Sequence, residues 1–412
     1  MSDGDHKPVD NLPVATPGTA FRLLEGIRVV DLTNSIAGPY ATMLLGDFGA
    51  EIIKVERPGR GDDARHWGPP FIDGQSPWFQ SVNRNKRSVT LDYASEKGRL
   101  VLHDLVGRSD VLITNLVPRV QEKLGVDYTS MQAVRENLIF VSLTGFGVEG
   151  ERRDQLCYDL IAEGYSGVMD LTGTADSEPQ KVGTPAADLL AGMDAAMAAM
   201  AALNDRARTG KGHLIDIALV DSMTRFMTPR IAPYLATGTV PRRSGAKDSV
   251  IAVYQTFETA DGPITLALGN DVIWGRFWEA VGDAGYGARF PTNGERVAAR
   301  PEIVAKIAAM LAEKPRSHWL DLLAAAKVPA GPINRVDEVA ADAELQRRGL
   351  FFAIESEGTP IPQVGLGIGV DGQAAGYDCA PPRLGADTED VLIGLLGYDA
   401  EAVAELKEQG IL

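Results

Sequence analysis

Two hydrophobic periods alternate along the first half of this chain. Ile27-Arg28-Val29-Val30-Asp31-Leu32 is a β-branched run that reads as a strand, and residues 38–48 then repeat apolar positions at helical spacing. Glu51-Ile52-Ile53-Lys54-Val55-Glu56 reads as the next strand. The alternation continues with a helix over 95–106, a strand at Val111–Thr114 and helices around Pro118–Arg135. A strand at Leu138–Thr144, an alanine-rich helix near 189–203 and a strand at His213–Ala218 follow. Strands separated by helices predict an α/β fold with a parallel, Rossmann-like sheet covered on both faces. Between residues 222 and 250 the pattern gives way to Pro229, Pro233, Gly238, Pro241 and an Arg-Arg-Ser-Gly stretch, which read as a linker. Beyond it, Ala252–Thr259 and Ile264–Leu268, with Asp261-Gly262 between them, predict a hairpin. Helical spacing at 271–282, 300–313 and 316–326 makes residues 251–335 a smaller α+β domain. Pro/Gly-rich segments and one acidic helix over 387–408 follow. Residues 1–24, rich in Pro, Gly, Asp and Ser, predict a disordered or surface-draped tail.

Composition narrows the functional classes. The 412 residues carry 40 Lys and Arg against 56 Asp and Glu, a net charge of −16. That length predicts two or three domains. The acidity argues against a broadly basic nucleic-acid or membrane-surface binder. The two cysteines, Cys157 and Cys379, provide no disulfide framework, and the five histidines show no metal-ligand spacing, so no metal is expected. The start lacks the basic and apolar segments of a secretory signal. The most apolar helix, Leu189–Leu203, is interrupted by Asp194 and falls short of the about 18 apolar residues of a membrane span. The expectation is a cytoplasmic enzyme or binding protein with no nucleic-acid or membrane partner, whose anion site is local.

Candidate phosphate loops fail one by one. Gly367-Ile368-Gly369-Val370-Asp371-Gly372 matches a dinucleotide fingerprint but follows no first strand and opens no helix. The first strand–helix turn, Thr33-Asn34-Ser35-Ile36-Ala37-Gly38-Pro39, has one glycine where that fingerprint needs three. Gly164-Tyr165-Ser166-Gly167 misses a nucleophile elbow by one position. The charge pattern is more informative. Residues 54–87 hold seven basic side chains (Lys54, Arg57, Arg60, Arg65, Arg84, Lys86, Arg87) against four acidic ones, a local excess of three. A parallel sheet binds ligands at its carboxyl edge, and guanidinium forks suit phosphate oxygens. A solvated loop with incidental arginines is the alternative. Trp67, Phe71, Trp78 and Phe79 lie among these charges, either to stack on a ligand or to fill a core.

Specific motifs carry a resemblance. Ala37-Gly38-Pro39, Leu45-Gly46-Asp47-Phe48-Gly49-Ala50, Lys54-Val55-Glu56-Arg57-Pro58-Gly59 and Asn83-x-Asn85-Lys86-Arg87-Ser88 resemble the class III CoA-transferases. So do Ser142–Gly147, Tyr158-Asp159, Asp188-Leu189-x-Ala191-Gly192, Thr209–Gly212 and Val328–Ile333. The likeness runs from about residue 24 onward. This family includes formyl-CoA, carnitine and dicarboxylate CoA-transferases and also α-methylacyl-CoA racemase.

The resemblance implies that acyl-CoA and a small carboxylic acid are substrates, with no prosthetic group. It implies a catalytic carboxylate at Asp188, and an Asp with a reference pKa of roughly 3.9 is expected to be ionised at neutral pH without a general base. On residue type alone, Asp188 opening a helix also reads as an N-cap. CoA-binding positions carry over to Arg57, Lys86, Arg87, Asn115, Leu116 and Lys123. Substrate-contacting positions carry over to Ile36, Tyr158 and Gly245. Ile36 stands where formyl-CoA transferase has Gln, which argues against oxalate or formate. Residues 243–248 hold one glycine, Gly245, where that enzyme has a glycine-rich loop. Tyr158 matches a substrate-contacting Tyr in formyl-CoA transferase and the catalytic His of the racemase; a buried, hydrogen-bonded Tyr is the alternative. The fold implied is an interlocked homodimer, with residues 25–221 as a large CoA-binding domain completed by 336–412. The segment around Arg57–Arg65 looks most like the succinyl-CoA–glutarate type, so the donor is expected to be a dicarboxylyl-CoA such as succinyl-CoA. A 2-methylacyl-CoA racemase and a non-catalytic CoA-binding homologue are the other readings.

Overall fold

The computed structural model describes residues 7–412. The part of the tail expectation that concerns residues 1–6 lies outside the described residues. The described chain divides into two compact units: residues 7–168, 181–232 and 342–412 form the first, and 169–180 with 233–341 form the second.

The first unit is built on six parallel strands: β1 (Arg28–Leu32), β2 (Glu51–Glu56), β3 (Lys86–Thr90), β4 (Val111–Thr114), β5 (Ile139–Thr144) and β6 (His213–Ala218). They lie in the order β3-β2-β1-β4-β5-β6. Central strands β4 and β5 are buried along their whole length, as sheets covered on both faces require. On one face, helix α1 (Ala37–Asp47) lies against a later helix that runs Ala186–Thr209. On the other, α2 (Glu96–Gly107) supplies Val101, Leu102 and Leu105 to a core shared with Leu112, Phe140, Val391, Leu392 and Leu406. The order of strands reverses between β1 and β4, so the carboxyl-edge crevice opens beside Asn34 and Asn115.

Several elements differ from the sequence reading. β3 begins in the basic Asn83–Ser88 stretch expected at the ligand edge, and Lys86 and Arg87 are strand residues. The alanine-rich helix spans 24 residues, not 15, and is long and apolar enough by composition to cross a membrane. It packs along α1 and strands β5 and β6 and buries Ala187, Ala191, Ala195 and Ala199, as a core helix does. The stretch read as a linker holds helices Leu219–Phe226 and Thr228–Thr237, with Pro229 in a first turn, where a missing N–H costs nothing. The acidic C-terminal helix is interrupted at Gly397 (φ +84°) and restarts under an Asp399 cap at Ala400–Glu408. Of the tail, residues 13–22 are tied down: Ala15 N–H donates to Ala353 O at 2.9 Å, Thr19 N–H to Tyr377 O at 3.0 Å, and Arg22 pairs with Asp378.

The second unit contains an antiparallel sheet of β7 (Tyr254–Glu258), β8 (Pro263–Ala267) and β9 (Ala330–Pro332). Trp274, Phe277, Trp278, Ile303, Ile307 and Trp319 from the flanking helices fill its core. The hairpin expected around Asp261-Gly262 is β7–β8.

Most of the local positive charge is turned inward. Asp31 on β1 is fully buried and accepts hydrogen bonds from Thr33 N–H (2.9 Å), Thr42 Oγ1 (2.7 Å) and Lys86 Nζ (3.1 Å). Lys54 Nζ lies 2.9 Å from Asp62 and donates to Thr33 O at 2.8 Å. Arg65 forks onto Glu56, and Arg84 forks onto Asp47. Burial alone would neutralise such groups, so each carries a partner. The neighbouring Lys54 and Lys86 charges overcome burial and hold the Asp31 carboxyl well below the usual range. For Lys86, burial prevails over Asp31 and pushes the ammonium down to about 8. Removing Asp31 leaves the buried Lys86 without its carboxylate and takes one of the neighbouring negative charges from Lys54. Asp31→Ala is expected to lower unfolding free energy by about 3–5 kcal/mol in urea titration. Because Asp31 binds its proton more weakly when folded, its contribution is full above the unfolded carboxylate pKa and is lost as pH falls below it.

Candidate active site

Asp188 is the third residue of helix α4 (Ala186–Thr209), which follows α3 (Asp159–Ser166). α4 runs back along the sheet and feeds β6, so its amino end lies toward the carboxyl edge. At about 1.5 Å per residue, 24 residues outreach six-residue strands and carry that end past the strand termini. Gly192, one turn beyond Asp188, marks where α4 meets α1: a Cβ there would lie 2.6 Å from Ala37 O. Ile36, buried at the N-cap of α1, is therefore on the helix turn that Asp188's face of α4 approaches.

The N-cap reading of Asp188 is corrected. Its side chain makes no capping bond; the cap is supplied by Asp159 of α3, whose Oδ1 accepts from Ala187 N–H at 2.8 Å and Asp188 N–H at 3.3 Å. Glu163, one turn along α3, accepts from Val182 N–H at 2.8 Å. Two carboxylates at i and i+4 thus hold both ends of the segment 182–188. Asp188 itself has no side-chain hydrogen-bond partner among the described residues, and burial, followed by the Asp159 charge, raises its carboxyl pKa to about 7. The expectation of an acid fully ionised at neutral pH is thereby corrected, since the group titrates there. Cys157 shares the environment: burial and then the Asp188 charge push its thiol up to about 11.

The other expected positions separate. Asn115 sits at the switch point, where its Oδ1 accepts from Asn34 N–H at 3.1 Å and its Nδ2 donates to Asn34 O at 2.8 Å; Leu116 beside it is half-buried. Thr33 and Ser35 N–H groups are likewise taken, by Asp31 and Asp62, so the amides of residues 33–35 are not open to a pyrophosphate. Arg57 is 55% exposed near Asp63, and Lys123 is exposed on helix Pro118–Leu124. Lys86 is not available to a phosphate: its ammonium is spent on Asp31, Pro39 O and Asn83 within the core. Arg87, at the amino end of β3, is engaged by Glu51, Asp387 and Asp390. Tyr158, immediately before Asp159, is 66% exposed, which removes the buried-tyrosine alternative. Gly245 belongs to the second unit, in a positive-φ turn (φ +61°) closed on Gly173 O. A cleft of about 510 Å³ in the first unit, bordered by Arg60, Arg65, His66, Phe71 and Phe79, holds the loop charges and aromatics together. The sequence reading missed Asp159 and Glu163, whose i, i+4 spacing was the available signal.

A raised carboxyl pKa costs stability above the unfolded value, because the unfolded chain gives up that proton first. Asp188→Asn is therefore expected to be more stable than the wild type at pH 8. The difference should shrink as pH falls toward 4, as read from urea unfolding at each pH; equal stabilities at pH 8 would contradict the placement of Asp188.

The model of CoA-transferase family III matches residues 24–388. Succinyl-CoA:glutarate CoA-transferase of Mus musculus is 37% identical over 95% of this chain and 91% of its own. Succinate–glutarate CoA-transferase of Agrobacterium fabrum is 38% identical over 90% of this chain and 95% of its own. A crystal structure of a CaiB/BaiF family protein from Brucella suis superposes with a TM-score of 0.80 at 39% identity, covering 90% of this chain and 99% of that one. The chain belongs to CoA-transferase family III.

Proposed function

We propose that this enzyme moves CoA from a dicarboxylyl-CoA such as succinyl-CoA to a free carboxylic acid through covalent intermediates on Asp188. The observation that carries the reading is an uncapped carboxylate in the first turn of a 24-residue helix, pushed up to about 7. Desolvation leaves it a strong nucleophile, and the positive end of the helix dipole faces charge developing on the acyl oxygen. Relatives named for succinyl-CoA and glutarate or mesaconate support the donor.

In this mechanism an Asp188 oxygen attacks the thioester carbonyl, the C–S bond breaks, and CoA thiolate leaves a mixed anhydride. The thiolate then attacks the Asp188 carbonyl carbon, expelling the donor as its carboxylate and leaving an aspartyl-CoA thioester. The acceptor carboxylate attacks that thioester and releases the thiolate from a second anhydride. Thiolate attack on the acceptor's acyl carbon frees Asp188. Every step exchanges one carbonyl substituent for another, so no proton need be moved. Asn115, Leu116, Arg57 and Lys123 are the positions we assign to CoA, and Ile36 and Tyr158 those beside the acyl group. Apolar side chains on α3 and α4 (Leu160, Ile161, Met193, Met197), with Leu156 just before α3, are exposed and support a homodimer. A sedimentation mass of a single chain would contradict that assembly.

Wild-type protein should convert succinyl-CoA and glutarate to succinate and glutaryl-CoA. Asp188→Ala should lower kcat at least about 10³-fold while binding of acyl-CoA persists. The acidic limb of kcat/KM should fall near pH 7, because only the ionised carboxyl attacks. Unchanged turnover in Asp188→Ala would contradict the mechanism.

A further inference from the structure

We propose that Asp159 is a positioning residue for Asp188, holding the backbone on which Asp188 is carried while its charge disfavours the ionised form relative to the neutral acylated ones. The proposal rests on the reading of Asp188 as the acyl acceptor.

The geometry has two parts. The first turn of α4 needs an acceptor for its free N–H groups, and Pro185 at its N-cap has no side-chain acceptor to give. Asp159 meets that need from another helix, with one oxygen on both Ala187 and Asp188 N–H. Asp188 is thereby released from capping its own helix, and its carboxyl is left without a hydrogen bond among the described residues. The second part is charge. Asp159 binds the Asp188 amide itself, and its charge acts on the Asp188 carboxyl. When Asp188 becomes an anhydride or thioester it is neutral, and the repulsion from Asp159 disappears. Asp159 therefore raises the free energy of resting Asp188 more than that of its covalent intermediates.

Among the described residues, Asp159 of α3 is the charge that acts on Asp188, and Cys157 of the preceding segment feels the Asp188 charge in turn; Glu163, one turn along α3, is pushed up by burial and by Asp159 and accepts from Val182 N–H. Tyr40 on α1 approaches Gly192, and burial keeps its phenol neutral; Lys181 begins the segment that Glu163 holds. Among these, Asp159 is the acid tied directly to the Asp188 backbone.

Two substitutions separate the roles. Asp159→Asn keeps an oxygen acceptor for the two N–H groups and removes the charge. Asp159→Ala removes both. In succinyl-CoA-to-glutarate transfer, Asp159→Asn is expected to move the acidic limb of kcat/KM down by about 1–2 pH units, with KM for succinyl-CoA little changed. Asp159→Ala is expected to lose about 100-fold in kcat through misplacement of Asp188, beyond the loss in Asp159→Asn. A thermal melt confirms that Asp159→Asn is folded. An acidic limb in Asp159→Asn that coincides with the wild type overturns the proposal, and so does wild-type kcat in Asp159→Ala. Absence of transfer by the wild type itself would instead overturn the reading of the enzyme on which the proposal depends.

Discussion

Burying charge beneath the carboxyl edge of the sheet is the constraint from which the rest of the first unit follows. Asp31, Lys54 and Lys86 sit on three adjacent strands with almost no solvent contact, and no such group can be left alone. Their partners come from the loops. Asp31 takes the Thr33 amide and the Thr42 hydroxyl, while Asp62, paired with Lys54, takes the Ser35 amide. Ser35 is held at φ +70°, a conformation a serine adopts only when its surroundings insist. The β1–α1 turn is thus locked by carboxylates below it. The start of α1 is fixed with it, and against α1 the Gly192 crossing sets the depth of α4.

The transfer proposed through Asp188 needs one carboxylate that is not locked. Nearly every other acid in this region is tied to a cation or an amide, which occupies the oxygens an attack would use. Asp188 escapes because Asp159 performs the capping that its position in the helix would otherwise require. Its raised pKa is the outcome of burial without compensation, and it makes the resting enzyme less stable than it could be. That trade between stability and reactivity is general where a side chain must react and cannot also be satisfied.

Much of the parallel sheet was legible because its strands are apolar runs between helical periods: β1, β2, β4, β5 and β6 were all expected. β3 was not, since Lys86-Arg87-Ser88 reads as solvated polar chain until Asp31, Glu51 and Glu56 are placed on neighbouring strands. The same blindness overstated the free positive charge. Seven basic residues over 54–87 suggested a phosphate-binding surface, yet Lys54, Arg65, Arg84, Lys86 and Arg87 face carboxylates of the protein itself. Charge counted along a sequence carries no information about which partner lies across a sheet. Asp188 was found through motif resemblance, whereas its titration near neutrality depends on Asp159 and burial. Both arise from two helices brought together, not from local spacing.

The central claim is that Asp188 becomes covalently acylated. Incubation with succinyl-CoA, quenching with hydroxylamine and peptide mass spectrometry test it most directly. A hydroxamate on the peptide containing Asp188, absent in Asp188→Ala, is the predicted result. An unmodified Asp188 peptide from protein that is turning over succinyl-CoA would contradict the account.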